Sequence, residues 1–228
     1  MDWSSLWPLG FALLLIGLLI YWELYICEGA HLGPRFVVWL YNLTARRYDR
    51  IKGFDPPWER RFLGEPVAAA AGHPGARILD VGAGTARLAR ALERVPMFRA
   101  QIINLEPSWR MIEHGRAACR LENCLWVQGL AVPLPFEARS FDLVVGLEML
   151  EFTPHPEDTL REMARVLRPG GWLLITHRVG RDAPFILGRY IPRARFPAFL
   201  ARAGFQAVEV FPWQVEYDLA WAQKPPGP

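Results

Sequence analysis

Residues 77–88, Arg77-Ile78-Leu79-Asp80-Val81-Gly82-Ala83-Gly84-Thr85-Ala86-Arg87-Leu88, restrict this chain more than any other stretch. An apolar strand, a turn holding two glycines and the start of a helix follow one another without a gap. Ile78, Leu79 and Val81 suit a strand buried on both faces. Gly82 and Gly84 let the backbone turn sharply and come close to a ligand, and Thr85 stands where a hydroxyl caps the next helix. Free amides at that helix start would face a nucleotide cofactor. A plain strand-to-helix turn would have the same pattern, so the downstream sequence has to decide between the two readings.

From residue 75 onward strand and helix patterns alternate, which predicts a parallel sheet covered on both faces. The expected strands are Ile78–Val81, Gln101–Leu105, Leu125–Gln128, Phe141–Leu147 and Trp172–Thr176, followed by strands at Val208–Phe211 and Val215–Ala222. Residues 59–71 read as a helix feeding the first strand, Ser108 as the cap of a helix through about Ala118, and His155-Pro156 as the cap and first position of another. A further helix should run to Ala203-Gly204-Phe205. Pro225-Pro226-Gly227-Pro228 reads as a frayed tail.

The first 27 residues differ from the rest. Leu6 to Trp22 carries no charge over 17 residues, and only Glu23 interrupts the apolar run before Cys27. At ~1.5 Å per residue such a helix can cross a bilayer core of ~30 Å with little tilt. Trp3 and Trp7 at one end, with Trp22 and Tyr25 at the other, match the two interfaces. A cleaved signal peptide wants a basic start and a small-residue cleavage site. Asp2 is the only early charge and no Lys or Arg precedes Arg35, so a retained anchor is the reading. Residues 31–64 are net basic by four, which places the main domain on the cytoplasmic side and draws this segment toward anionic headgroups. Phe36, Leu40 and Leu43 recur at helical spacing there, predicting an amphipathic helix lying either on the membrane or over the main domain. The resulting division is an anchor at 1–27, a basic linker and lid at 28–65, a main domain at 66–224 and a tail at 225–228.

The formal charge of +3, without dense basic runs among aromatics, points away from nucleic acid. Cys27, Cys119 and Cys124 are too few and scattered for a disulfide framework, and no Cys/His spacing fits a metal site.

Three ordered stretches resemble the class I S-adenosylmethionine-dependent methyltransferases, in the group acting on small molecules and lipids. They are Ile78-Leu79-Asp80-Val81-Gly82-Ala83-Gly84-Thr85, Leu134-Pro135-Phe136 leading to Ser140-Phe141-Asp142-Leu143-Val144, and Leu160 through Gly171. The resemblance covers about residues 66–223. It implies an α/β, Rossmann-like sheet of seven mainly parallel strands with helices on both faces and an antiparallel last strand, here preceded by one transmembrane helix. The implied cofactor is S-adenosyl-L-methionine, held by Asp80, Gly82, Ala83, Gly84, Thr85, Glu106, Pro107, Leu130, Ala131 and Leu147. The residues agree with this on their own chemistry. An acid at the glycine turn would repel a pyrophosphate, which disfavours a nicotinamide oxidoreductase, but suits a cofactor carrying a sulfonium and an ammonium. Glu106, at the end of the second strand, is placed to accept hydrogen bonds from ribose hydroxyls. The chain departs from the group at Ala86, where a third glycine is usual, and at Leu130, where an acid is. It also has Gly146-Leu147-Glu148-Met149 where the quinone enzymes have Gly-Ile-Arg-Asn, which argues against a quinone acceptor.

Methyl transfer is an in-line displacement for which positioning alone supplies ~7 to 11 kcal/mol, and a base is optional. Glu148, His155 and Tyr48 are the catalytic candidates, with Glu151 and His177 behind them. The expected activity is methyl transfer to an amphiphilic small molecule or lipid at a membrane. A catalytically silent cofactor-binding membrane scaffold is the alternative from a different class.

Overall fold

The structure is a computed structural model and describes residues 7–227; Asp2, Trp3 and Pro228 lie outside the described residues. In chain order its helices are α1 (Trp7–Tyr21), α2 (Pro34–Lys52), α3 (Pro56–Glu59), α4 (Glu65–Ala71), α5 (Arg87–Glu93), α6 (Trp109–Ala118), α7 (Pro156–Val166) and α8 (Phe196–Arg202). The strands are β1 (Arg77–Val81), β2 (Gln101–Glu106), β3 (Cys124–Gln128), β4 (Phe141–Gly146), β5 (Leu167–Arg178), β6 (Gln206–Pro212) and β7 (Tyr217–Gln223). They form one sheet in the order β3-β2-β1-β4-β5-β7-β6. The first five run parallel, and β7 lies antiparallel between β5 and β6. This is the Rossmann-like methyltransferase fold that the motifs implied.

Alternation along β1 explains why the sheet is covered twice. Ile78 points to one face, where Leu88 and Leu92 of α5 and Val67 of α4 bury it, while Leu79 and Val81 point to the other, against Leu160 and Met163 of α7. Ile78 pairs with Ile102 of β2 and Leu143 of β4, so the central strands are apolar on both sides. Chain order reverses between β1 and β4, and the crevice beyond their carboxyl ends is where a ligand binds in open sheets of this kind.

Several boundaries differ from the sequence expectation, each for a physical reason. Helical structure before β1 begins at Pro56, because Asp55 accepts a hydrogen bond from the Trp58 amide, and it passes through a π-helical turn at Arg60–Gly64. β5 starts directly after α7 at Leu167, since Arg168-Pro169-Gly170-Gly171 ends the helix and continues extended toward Trp172. Thr85 does not cap the helix. Ala86 takes the cap position in a left-handed conformation (φ 68°), and the Thr85 hydroxyl instead donates to Asp49 on α2. His155 occupies the cap position of α7 without a side-chain capping bond. Ser108 does cap α6, accepting from the Met111 amide at 3.2 Å.

α2 packs over the carboxyl ends of the strands. Asn42 Oδ1 accepts from the Ser108 hydroxyl at 2.8 Å and from the Arg110 amide at 3.2 Å, and Asp49 pairs with Arg90 at 2.6 Å. α1 has no buried residue and runs through a π-helical turn (Trp22–Ile26) into a junction docked on the domain. There Trp22 Nε1 donates to the Phe185 carbonyl at 3.0 Å, Cys27 is buried, and His31 pairs with Glu23 at 2.8 Å.

Candidate active site

The glycine turn is closed by the strand beside it. The Gly82 and Ala83 amides donate to the Leu105 carbonyl at 2.8 and 3.1 Å, which aims the chain back over β2. Gly82 needs its left-handed conformation (φ 72°) and its missing side chain, because a Cβ there would stand 2.9 Å from Met149. Glu106 braces the next step: its carboxylate accepts from the Gly84 amide and, through its other oxygen, from the Ser108 amide, both at 2.9 Å.

A cavity of about 260 Å³ opens above this turn. Gly82, Gly84, Glu106, Pro107, Leu130, Ala131, Leu147, Glu148 and His155 line it from the sheet side, and Val37, Val38, Tyr41 and Tyr48 of α2 roof it. A smaller hollow continues beneath the Tyr48 ring, lined by Asp80, Ala83, Thr85 and Arg87. The ten residues expected to hold the cofactor therefore line two hollows that share walls at Gly82, Gly84, Leu147 and Glu148.

The electrostatics separate these acids into two kinds. Asp80 and Glu106 are buried; burial, with Glu106 beside it, pushes the Asp80 carboxyl up to about 7, and burial pushes Glu106 up to about 7 as well, its two amide bonds only partly offsetting it. Glu148 is different. Burial opposes its charge, but Lys52 at 2.6 Å and Arg87 at 2.5 Å outweigh it and hold its carboxyl below the ordinary range. Arg87 also pairs with buried Glu59 at 2.7 Å and lies between the rings of Phe54 (4.7 Å) and Trp213 (4.6 Å). Both ion-paired oxygens of Glu148 are thus committed to cations.

Tyr48 is half-buried against Tyr41 and Phe54, and desolvation raises its phenol well above the ordinary value, so it is a neutral donor. Its ring covers Gly84, whose missing Cβ would lie 3.7 Å away. His155 sits at the cavity wall and is exposed. The two further candidates lie elsewhere. Glu151 is buried with Tyr217 donating to it at 2.6 Å, and the His177 ring stacks on Phe196 at 4.1 Å with Nε2 against the Ile191 carbonyl. Glu59, Lys52, Arg87 and Asn42 were missed. Periodicity could have marked the α2 face, but not partners separated by up to 96 residues. The structure also gathers donor atoms of Glu23, Cys27 and His31 within 4.8 Å, on a stretch for which spacing alone suggested no metal site.

The site fits S-adenosylmethionine on its own chemistry. Two buried carboxylates with raised pKa are poised to be stabilised by a cation, and a carboxylate has about four acceptor positions, of which two amides occupy two on Glu106. The glycine cradle and apolar Pro107, Leu130 and Ala131 suit a nucleoside. Glu106→Ala is expected to weaken cofactor binding at least about tenfold, the worth of one good hydrogen bond to a charged group, while the domain still melts cooperatively. Titration calorimetry beside a melting curve checks both halves.

Residues 79–175 match the methyltransferase domain family. A ubiquinone/menaquinone biosynthesis C-methyltransferase of Ruegeria is 36% identical over 146 residues, covering 60% of this chain and 56% of that protein. The chain thus spans just over half the length of the curated relatives it matches. Among solved structures, the [4+2]-cyclase SpnF superposes with a TM-score of 0.68 at 20% identity, covering 86% of this chain and 97% of that one. The trans-methyltransferase CalH, solved with SAH, gives 0.59 at 22% identity, covering 70% and 54%. At these identities the two structures establish the fold.

Proposed function

We propose that this chain is an S-adenosylmethionine-dependent methyltransferase, anchored in a membrane by α1 with its domain on the cytoplasmic side, that methylates an amphiphilic small molecule or lipid. The observation that carries the reading is the pair of buried carboxylates, Asp80 and Glu106, at the two ends of a glycine cradle roofed by the apolar and aromatic face of α2. Such a site favours a cationic nucleoside and an apolar acceptor together. The match over residues 79–175 and the Ruegeria relative support the same chemistry.

Bound in the cradle, S-adenosylmethionine supplies a methyl group activated by the sulfonium. The chain does the rest by holding and shielding. Glu106 takes the ribose hydroxyls, Asp80 the ammonium, Gly82 to Thr85 approach through backbone, and Pro107, Leu130, Ala131 and Leu147 wall the nucleoside. Tyr48 and Tyr41 exclude water from above, which strengthens each electrostatic contact inside. Glu148 acts through its cations, fixing the end of β4 against the lid. Of the three catalytic candidates His155 alone reaches the cavity free of an ion pair and exposed, so it is the group to take a proton from the acceptor. His155→Asn is expected to lower kcat on the order of a hundredfold with cofactor affinity unchanged; an unchanged kcat would mean no base is used at that position.

The membrane reading rests on the helix from Trp7 to Ile26 and on how it leaves. A signal sequence is cut away, whereas here Trp22, Glu23 and Cys27 are built into contacts with Phe185 and His31. The relatives are named for ubiquinone/menaquinone biosynthesis, and Glu148, paired to Lys52 and Arg87, stands inside the stretch 146–149 that sets the sequence apart from the quinone enzymes. The acceptor class is therefore left as amphiphile. Incubating the full chain with methyl-labelled S-adenosylmethionine and membrane lipids, then reading labelled lipids by mass spectrometry, tests the proposal. Cofactor binding without any labelled lipid would support the silent scaffold instead.

A further inference from the structure

α2 has two faces of opposite use. Val37, Val38, Tyr41 and Tyr48 turn inward to roof the cavity. Arg35, Trp39, Leu43, Arg46 and Arg50 recur every three or four positions on the other side and are all exposed, Trp39 by 55% and Leu43 by 68%. Arg47 is exposed beside them, whereas Asp49 pairs with Arg90 and Lys52 with Glu148, so the outward face presents arginine as its charge. Exposed apolar surface also continues to the base of α1. Leu32 precedes α2 by two residues, and Phe185 and Leu187, both more than half exposed, offer their carbonyls to Trp22 and His31.

We propose that this outward face of α2 lies in the interfacial layer of an anionic bilayer beside the entry point of α1, holding the cavity mouth at the level of the headgroups. The composition is that of an interfacial helix: a tryptophan and leucine flanked by arginines, on a helix whose other side is engaged. Each arginine close to an anionic surface adds roughly fivefold to the partition. Leu130 and Val132, exposed at the cavity rim, would then meet the acyl part of an acceptor that never leaves the membrane. The inference rests on the anchored reading above, and it assigns the bilayer, rather than a protein, as what covers this face.

The test uses the full chain in nanodiscs of phosphatidylcholine with brominated acyl chains, with and without phosphatidylglycerol, comparing wild type with W39F. Bromine quenches a tryptophan at the interface, and the chain has ten. Wild type is expected to lose an extra share of emission, about that of one tryptophan, when phosphatidylglycerol is present. W39F should lack that increment, and R46E/R47E/R50E should abolish it, with the circular dichroism of both variants unchanged. Equal quenching of wild type and W39F in both lipids would overturn the proposal and leave the face open to a protein partner. Carbonate extraction separates the two ways of failing: a chain that stays in the membrane without the increment keeps its anchor and loses only the docking, whereas one that is extracted overturns both.

Discussion

Asp80→Asn is expected to weaken S-adenosylmethionine binding roughly ten- to a hundredfold while making the empty protein more stable at pH 8. Both effects come from one buried carboxylate that opens onto the hollow beneath Tyr48. The loss of affinity is that of a charge-assisted contact, about 1.5 to 3 kcal/mol. The gain in stability follows from the pKa. Burial, helped by Glu106, raises the folded carboxyl from 3.8 to about 7, so ionising it costs the folded state more than the unfolded chain. Its favourable share of stability is complete below pH ~4 and is lost as pH rises through about 7, up to a few kcal/mol above that. Asn carries no such cost. Melting curves without cofactor should therefore show the variant and wild type converging at low pH and separating at pH 8. Binding has the opposite slope. A cation entering the site expels protons from Asp80 and Glu106, so wild-type affinity should climb from pH 5.5 to about 7.5 and then level off. Calorimetry in buffers of different ionisation enthalpy reads the released proton directly. Equal affinity of wild type and Asp80→Asn would place the cofactor's charge elsewhere.

Much of this site is visible in the linear chain because it is built from local patterns. The strand, the glycine pair and the acid at its entry lie within 77–88, and Glu106 ends the next strand of a regular alternation. The mainly parallel seven-stranded sheet and its antiparallel last strand follow from the family resemblance, and all of the strands overlap the stretches expected for them. Thr85 was misread because the residue after it adopts φ 68°, shifting the cap by one position and freeing the hydroxyl for Asp49. That same angle is one that glycine, the residue the resemblance implies at 86, adopts without strain. An alanine there bears a strain of ~1 kcal/mol, here offset by burying its methyl completely against the α5 core. The lid network was not legible at all. Arg87 reaches Glu59 28 residues away and Glu148 61 residues away, and no periodicity encodes a pairing of that kind.

Arg87→Met should be the most destabilising single change in the site, by about 3 to 5 kcal/mol, because it strands buried Glu59 and leaves Glu148 with Lys52 alone rather than removing one contact. The side chains of Glu59 and Glu148 are each 7% exposed, and Glu59 receives both the Nε and an Nη donor of Arg87. Methionine fills the slot between Phe54 and Trp213, so packing loss is kept small and the charge effect is isolated. At ~2 to 4 °C per kcal/mol for a chain of this size, the melting temperature should fall by roughly 10 °C. The lid should loosen with it, since Lys52 at the end of α2 is held through Glu148. Adding Glu59→Gln should recover part of the loss, because the orphaned charge is then gone. The pH dependence identifies the cause. In the wild type, Arg87 and Lys52 keep the Glu148 carboxyl below its ordinary range, so this group's contribution is present at neutral pH and lost only as pH falls through that low value. In the variant Glu148 keeps only Lys52 against its burial and takes a proton at higher pH than in the wild type, so the gap to wild type should narrow between pH 7 and pH 5. A gap that stays constant over that range would mean Arg87 acts by packing between the two rings, and that the lid is held by its apolar face alone.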